Sequence, residues 1–192
     1  MKVLDKTRYI DLYDFSTLMT ANDNEEIKAI AKRIIDSGNY FENSPKYQTK
    51  ENLFARHEPI WLKMRQSFIY SCFMFLGQEV KIKNMMSWVF MTSAKDAEDR
   101  EDLWHDHAVK NGDGTTEKVS GIWYVDIPKD VTNPELSGTE FCMDWPNKQD
   151  TFFIRPKDLT WVIYPSKIWH RPGITDSDDY RFVFAADMEY YL

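Results

Sequence analysis

The chain has 192 residues, 43% of them hydrophobic and 15% aromatic, which is ample material for one packed core and argues against global disorder. Lysine and arginine number 24 against 31 aspartates and glutamates, and the resulting net charge of −7 repels phosphate backbones, so nonspecific nucleic-acid binding is not expected. Two cysteines, Cys72 and Cys142, exclude a disulfide scaffold and a cysteine zinc knuckle and suit a reducing compartment.

The first residues, Met1 to Asp11, mix Lys, Asp and Arg and hold no apolar stretch of signal-peptide length, and nowhere do about twenty apolar residues run together. The expectation is a soluble cytoplasmic protein without a membrane partner. From Asn24 to Gly38, Ile27, Ile30, Ala31, Ile34 and Ile35 follow the i, i+3, i+4, i+7 spacing of an amphipathic helix. Asn22 with Glu25, or Asp23 with Glu26, are candidate caps for its start, and Gly38 suits its end. A second helix is expected from Pro59 to Gly77, more buried, with Trp61, Leu62, Met64, Phe68, Ile69, Cys72, Phe73 and Leu76 along it.

After residue 78 the period changes to two. Val80, Ile82, Met86, Trp88 and Phe90 open the strand pattern, and short runs follow at Val119 to Ile127, Thr139 to Met143, Thr151 to Ile154, Leu159 to Tyr164 and Tyr180 to Met188. Turn clusters such as Asn111-Gly112-Asp113-Gly114 and Pro172-Gly173 separate them. The pattern predicts an α+β chain of one domain over 1–192, a mainly helical flank over 1–78 and a β-sandwich or jelly-roll core over 79–192. The acidic stretch Asp96 to Asp102 reads as a solvated loop, or as a lid because it precedes a pair of histidines.

Those histidines stand in Trp104-His105-Asp106-His107, and a third, His170, follows the apolar run ending at Tyr164-Pro165. In an extended chain, side chains two apart share a face, so His105 and His107 can meet one ion while Asp106 points away. Three protein ligands on one side of a metal leave open positions for other groups. One HxH pair recurs by chance, however, and a lone third histidine is more often structural.

The neighbouring residues sharpen this. His105-Asp106-His107, then Val119-Ser120-Gly121-Ile122-Trp123-Tyr124-Val125-Asp126-Ile127-Pro128, then Gly138-Thr139-Glu140-Phe141, then Ile163-Tyr164-Pro165-Ser166 with His170, then Arg181, resemble in order the Fe(II)- and 2-oxoglutarate-dependent oxygenase superfamily, with prolyl-hydroxylase-like members as nearest kin. The similarity spans about residues 84 to 190. It implies a double-stranded β-helix core, an iron site and 2-oxoglutarate as cosubstrate, with O2 consumed, succinate and CO2 released and an unidentified substrate hydroxylated.

Placed on this chain, the resemblance implies His105 and His170 as iron ligands. The family's usual carboxylate, two residues beyond the first histidine, is here His107, which leaves the metal site one unit more positive. His107 is the expected third ligand, and Asp106 is the rival if a β-bulge turns it inward. Arg181 matches the arginine that grips the far carboxylate of 2-oxoglutarate, a task suited to a planar guanidinium; without the resemblance it reads as a surface ion pair with Asp178 or Asp179. Tyr124 matches a tyrosine supporting the same carboxylate, while Phe182, Val183, Phe184 and Ala185 lack the small hydroxyl residue often found beyond the arginine. Trp88, Trp104, Trp123 and Trp169 are candidate walls of the pocket, or simply core. A cupin-like metal protein without oxygenase activity is the competing reading.

Overall fold

The computed structural model describes residues 2–7, 9–43, 46–96, 103–109, 114–135, 137–173 and 175–192. Most of the acidic stretch, 97–102, and most of the turn cluster at 111–114 therefore lie outside the described residues. In chain order the elements are β1 (Lys2–Thr7), β2 (Ile10–Asp14), α1 (Ala21–Asp36), β3 (Tyr40–Asn43), β4 (Lys46–Thr49), α2 (Pro59–Leu76), β5 (Ile82–Thr92), β6 (Thr116–Asp126), β7 (Thr139–Cys142), β8 (Thr151–Ile154), β9 (Thr160–Pro165), β10 (Trp169–Pro172) and β11 (Arg181–Tyr191).

Both helices form where the periodicity places them. The cap of α1 is Thr20 rather than Asn22 or Asp23: the Asp23 backbone N–H donates to Thr20 Oγ1, and the Asp23 carboxylate accepts from the Thr20 backbone N–H at 2.6 Å. This closes a capping box with aspartate at its third position. Lys63 of α2 donates to both oxygens of the same Asp23 carboxylate at 2.8 Å, tying the two helices together. Pro59 opens α2, where its missing N–H costs nothing, and Gly77 ends it in the left-handed region at φ 72. No described helix is long and apolar enough to cross a membrane.

Two antiparallel sheets carry the rest. The larger has the order β1-β2-β9-β6-β11-β5-β4-β3 and the smaller β10-β7-β8. Alternation along the central strands sorts the core into two layers. Val119, Trp123, Trp161, Ile163, Phe184 and Met188 face the helices, packing on Ile27, Trp61, Met64 and Phe68. Ile122, Tyr124, Val162, Tyr164, Val183 and Ala185 face the small sheet, packing on Phe141 and Ile168. Gly121 belongs to the helix side, where a Cβ would stand 2.6 Å from the Phe68 ring, so glycine lets α2 lie close on the sheet.

The segment 1–78 holds both helices and also β1 to β4, strands the sequence pattern did not show, which extend both ends of the large sheet. These strands are short, and Ile10-Asp11-Leu12-Tyr13-Asp14 mixes acids into its alternation. Its strand character comes from pairing with β9, through Asp11↔Ile163 to Asp14↔Thr160. The alternation of β6 also fails at its end: Phe182 pairs Asp126 and Val183 pairs Tyr124, so Val125 is an extra, bulged residue, and Asp126 reaches Lys28 of α1 instead of sharing the Tyr124 face.

Candidate functional site

His170 does not follow a strand, as the sequence pattern suggested, but sits inside β10, paired with Phe141 of β7. His105 bridges it in antiparallel fashion, with His105 N–H to His170 O at 3.1 Å and the return bond at 2.9 Å. His107 is held by its own N–H, which donates to Ser166 O at 2.8 Å. The main chain thus brings the three imidazoles together, with ring centroids 4.4 Å apart for His105 and His170, 5.0 Å for His105 and His107, and 5.1 Å for His107 and His170. One ring nitrogen from each falls within 4.8 Å of the others. Asp106, the rival ligand, is not part of this cluster; its carboxylate accepts from the Ala108 N–H at 3.3 Å.

The partners of the rings fix their tautomers. Nδ1 of His105 lies 2.7 Å from Leu103 O, Nδ1 of His170 lies 3.0 Å from Ile168 O, and Nδ1 of His107 lies 2.9 Å from Asp187 Oδ1. Each partner is an acceptor, so each Nδ1 carries a proton, and Nε2 is the nitrogen each ring would turn to a metal. The Tyr164 hydroxyl, 3.1 Å from His170 Nε2, donates to its lone pair. Three clustered imidazoles with their Nδ1 protons pinned are the donor set that a divalent transition metal takes through Nε2.

The rings open into a cavity of about 430 Å³, also lined by Gln48, Trp88, Phe90, Lys118, Thr139, Pro172 and Ala185. Of the four tryptophans expected around the site, Trp88 lines it, 5.4 Å from the His107 ring. Trp123 turns to the helix side, donating to Asn24 Oδ1 at 2.8 Å. Trp169 neighbours His170 in the strand, so it points to the opposite face and stacks on Trp145 at 4.2 Å. Trp104 lies under the Arg171 guanidinium, which pairs with Glu140 at 2.7 Å.

Arg181 is not a surface residue. Its side chain is wholly buried, with Nη1 donating to Gly173 O at 2.6 Å and Nη2 to Gly138 O at 2.9 Å, while Nε has no hydrogen-bond partner. Among the described residues no carboxylate pairs with it. Burial pushes its pKa down to about 10, against the attraction of the Tyr124 phenol, so the guanidinium remains charged at neutral pH. The Tyr124 and Phe90 rings flank it at 5.7 and 5.9 Å. The Tyr124 hydroxyl reaches Thr139 Oγ1 at 3.1 Å and Ile154 O at 3.3 Å, and burial raises its pKa despite the nearby cation. Three residues that line the cavity also adjoin this cation: Phe90 by its ring, and Thr139 and Pro172 as chain neighbours of the acceptors Gly138 and Gly173.

The glycine of Gly138-Thr139-Glu140-Phe141 has a steric reason. A Cβ there would stand 2.0 Å from Ile154 O, and Gly138 O is an Arg181 acceptor. Gly138→Ala is therefore expected to push β8 away from β7 and cost about 1–3 kcal/mol. A melting temperature lower by several degrees than wild type checks this; an unchanged one would show that the strands absorb the methyl.

The residue that sequence reasoning missed is Asp187. It is a lone acid in the apolar run Arg181–Met188, and the two-residue period puts it on the face of Arg181, Val183 and Ala185, which was the available signal.

No protein-family model matches the sequence, and comparison with curated sequences finds no match. Solved structures do match. A prolyl-4-hydroxylase from Pseudomonas putida superposes with a TM-score of 0.63 at 10% identity, covering 97% of this chain and 95% of that one. SnoN, a non-heme alpha-ketoglutarate-dependent epimerase from nogalamycin biosynthesis, gives 0.65 at 11% identity over 95% and 80%. HygX from Streptomyces hygroscopicus, solved with nickel, 2-oxoglutarate and hygromycin B, gives 0.61 at 9% identity over 95% and 83%. The chain has the double-stranded β-helix fold of these Fe(II)- and 2-oxoglutarate-dependent oxygenases. At such low identities the likeness establishes the fold, and function rests on the site.

Proposed function

We propose that the protein is an Fe(II)- and 2-oxoglutarate-dependent dioxygenase that hydroxylates a peptidyl residue or a small molecule, with His105, His107 and His170 as iron ligands and Arg181 and Tyr124 as the cosubstrate anchor. One observation carries this reading: the strand whose Ala185 and Asp187 line the cavity of the three clustered histidines begins with a wholly buried guanidinium that has no acid partner among the described residues. A buried cation without a counter-ion is costly, and a bound carboxylate removes that cost. The donor sets fit both groups, a divalent metal at the imidazoles and a dicarboxylic acid between metal and Arg181. The fold of the solved oxygenases, some complexed with 2-oxoglutarate, supports the same assignment.

Bound there, ferrous iron with 2-oxoglutarate supplies the oxidising chemistry, in which O2 is consumed, succinate and CO2 leave and a substrate C–H bond becomes C–OH. The chain's own contribution is to hold, orient and exclude. The Nδ1 contacts keep each imidazole in the tautomer and rotation that ligation needs. Tyr124 flanks Arg181 with its ring and joins its hydroxyl to that of Thr139, hydroxyls that Phe182, Val183, Phe184 and Ala185 do not offer. Trp88 and Phe90 supply apolar wall that limits water near the metal. A cupin-like protein binding zinc or another ion is the second reading, favoured by the all-histidine set, but it gives Arg181 no task.

Anaerobic Fe(II) and 2-oxoglutarate are expected to give a weak visible charge-transfer band, followed by succinate on admission of air. Metal uptake without the band would favour the second reading, and no uptake would sink both.

A further inference from the structure

Three neutral imidazoles bring no negative charge to a divalent ion, whereas a site with a carboxylate ligand brings one. In this chain a carboxylate stands one bond further out, behind the histidine that occupies the carboxylate's usual position. His107 Nδ1 lies 2.9 Å from Asp187 Oδ1, and both side chains are largely buried. The other two rings face main-chain carbonyls, of Leu103 and Ile168. Asp187 is itself held in place: Ser120 donates its hydroxyl proton to Oδ1 at 2.7 Å, so in the 2.7 Å Ser120–Ser166 pair the proton comes from Ser166. Lys118 Nζ stands 4.0 Å from Oδ2, the one cation recorded beside it among the described residues.

We infer that Asp187 is a positioning residue that returns to the metal site, through the His107 imidazole, the negative charge a carboxylate ligand would have brought. A carboxylate that accepts the Nδ1 proton raises the electron density at Nε2 and fixes the ring's rotation, so His107 donates to the metal more strongly than the other two rings. The inference rests on the iron reading above and assigns a residue that the ligand set leaves out.

The test is metal affinity, measured anaerobically by Fe(II) titration and with Co(II) as a spectroscopic probe, for wild type, Asp187→Asn, Asp187→Glu and Asp106→Asn. Asp187→Asn keeps size and a hydrogen-bond acceptor but removes the charge, and is expected to weaken Fe(II) binding about 10–100-fold and shift the Co(II) visible bands. Asp187→Glu keeps the charge and is expected to bind more tightly than Asp187→Asn. Asp106→Asn removes an equal charge from the same cavity and is expected to bind like wild type. Melting curves of the metal-free variants separate lost affinity from lost fold. Wild-type affinity and bands in Asp187→Asn, tighter binding by Asp187→Asn than by Asp187→Glu, or an equal loss in Asp106→Asn would each overturn the inference and leave the functional reading standing. A wild-type protein that takes up no metal would overturn both.

Discussion

His170→Ala is expected to abolish Fe(II) uptake and reduce succinate release to background, a larger loss than the about 10–100-fold that removing an outer partner of a ligand brings. The variant should still fold. His170 meets His105 through main-chain N–H and C=O groups, and these survive truncation of the ring, as does the β10–β7 pairing. What disappears is one of three lone pairs and the partner of the Tyr164 hydroxyl. His57 supplies the control: it is exposed, outside the cluster, and His57→Ala is expected to bind metal and turn over like wild type. The measurements are anaerobic metal titration and succinate release, and turnover in His170→Ala equal to wild type would remove the proposed centre.

The second large effect is at Arg181. Removing one partner of a buried charge pair costs about 2–5 kcal/mol, so Arg181→Met is expected to raise the KM for 2-oxoglutarate by roughly 30- to 5,000-fold. Arg181→Lys should lose nearly as much, because an ammonium cannot serve Gly173 O, Gly138 O and a carboxylate from one planar fork. Thermal shift gives an independent readout. At a ligand concentration of about 100 times the wild-type Kd, binding stabilises wild type by about 2.7 kcal/mol, or roughly 5–11 °C for a chain of this size, and the Met variant should keep about a third of that shift or less. The pH dependence follows from burial. With the guanidinium's pKa depressed to about 10, the cation persists through neutral pH, so affinity for the acid should be level there and fall as pH rises past about 10. A KM unchanged in both variants would place the grip on the acid elsewhere.

What could be read from the sequence divides along a physical line. Long periodic segments were legible because burial of one face writes itself into the pattern: α1 and α2 and the central strands β5, β6, β9 and β11 lie where their apolar periods put them. Strands β1 to β4 were not, because runs of four to six residues with polar groups among them become strands only when a partner is alongside. The three histidines were nameable from spacing and resemblance, and the structure brings them together. The two-residue period already favoured them over Asp106; what no sequence period encodes is the main-chain contacts, between His105 and His170 and between His107 and Ser166, that bring the rings together. Arg181 looked like a surface residue beside Asp178 and Asp179 except for the resemblance, and its burial is a property of the assembled sheets. Asp187 escaped for the same reason: its partners His107, Ser120 and Lys118 come from two other segments of the chain.

Strand β11 carries Arg181 and Asp187 on one face, with the small Ala185 and Val183 between them, and it is paired along nearly its whole length on both sides, by β5 and by β6. Six residues of extended chain set the two groups about 20 Å apart along the backbone. A one-residue slip of β11 against its neighbours would turn both groups out of the site at once. In the reading proposed here, the sheet acts as a fixed ruler for the diacid, and tolerance of shorter or longer homologues is governed by main-chain pairing more than by any side chain that touches them.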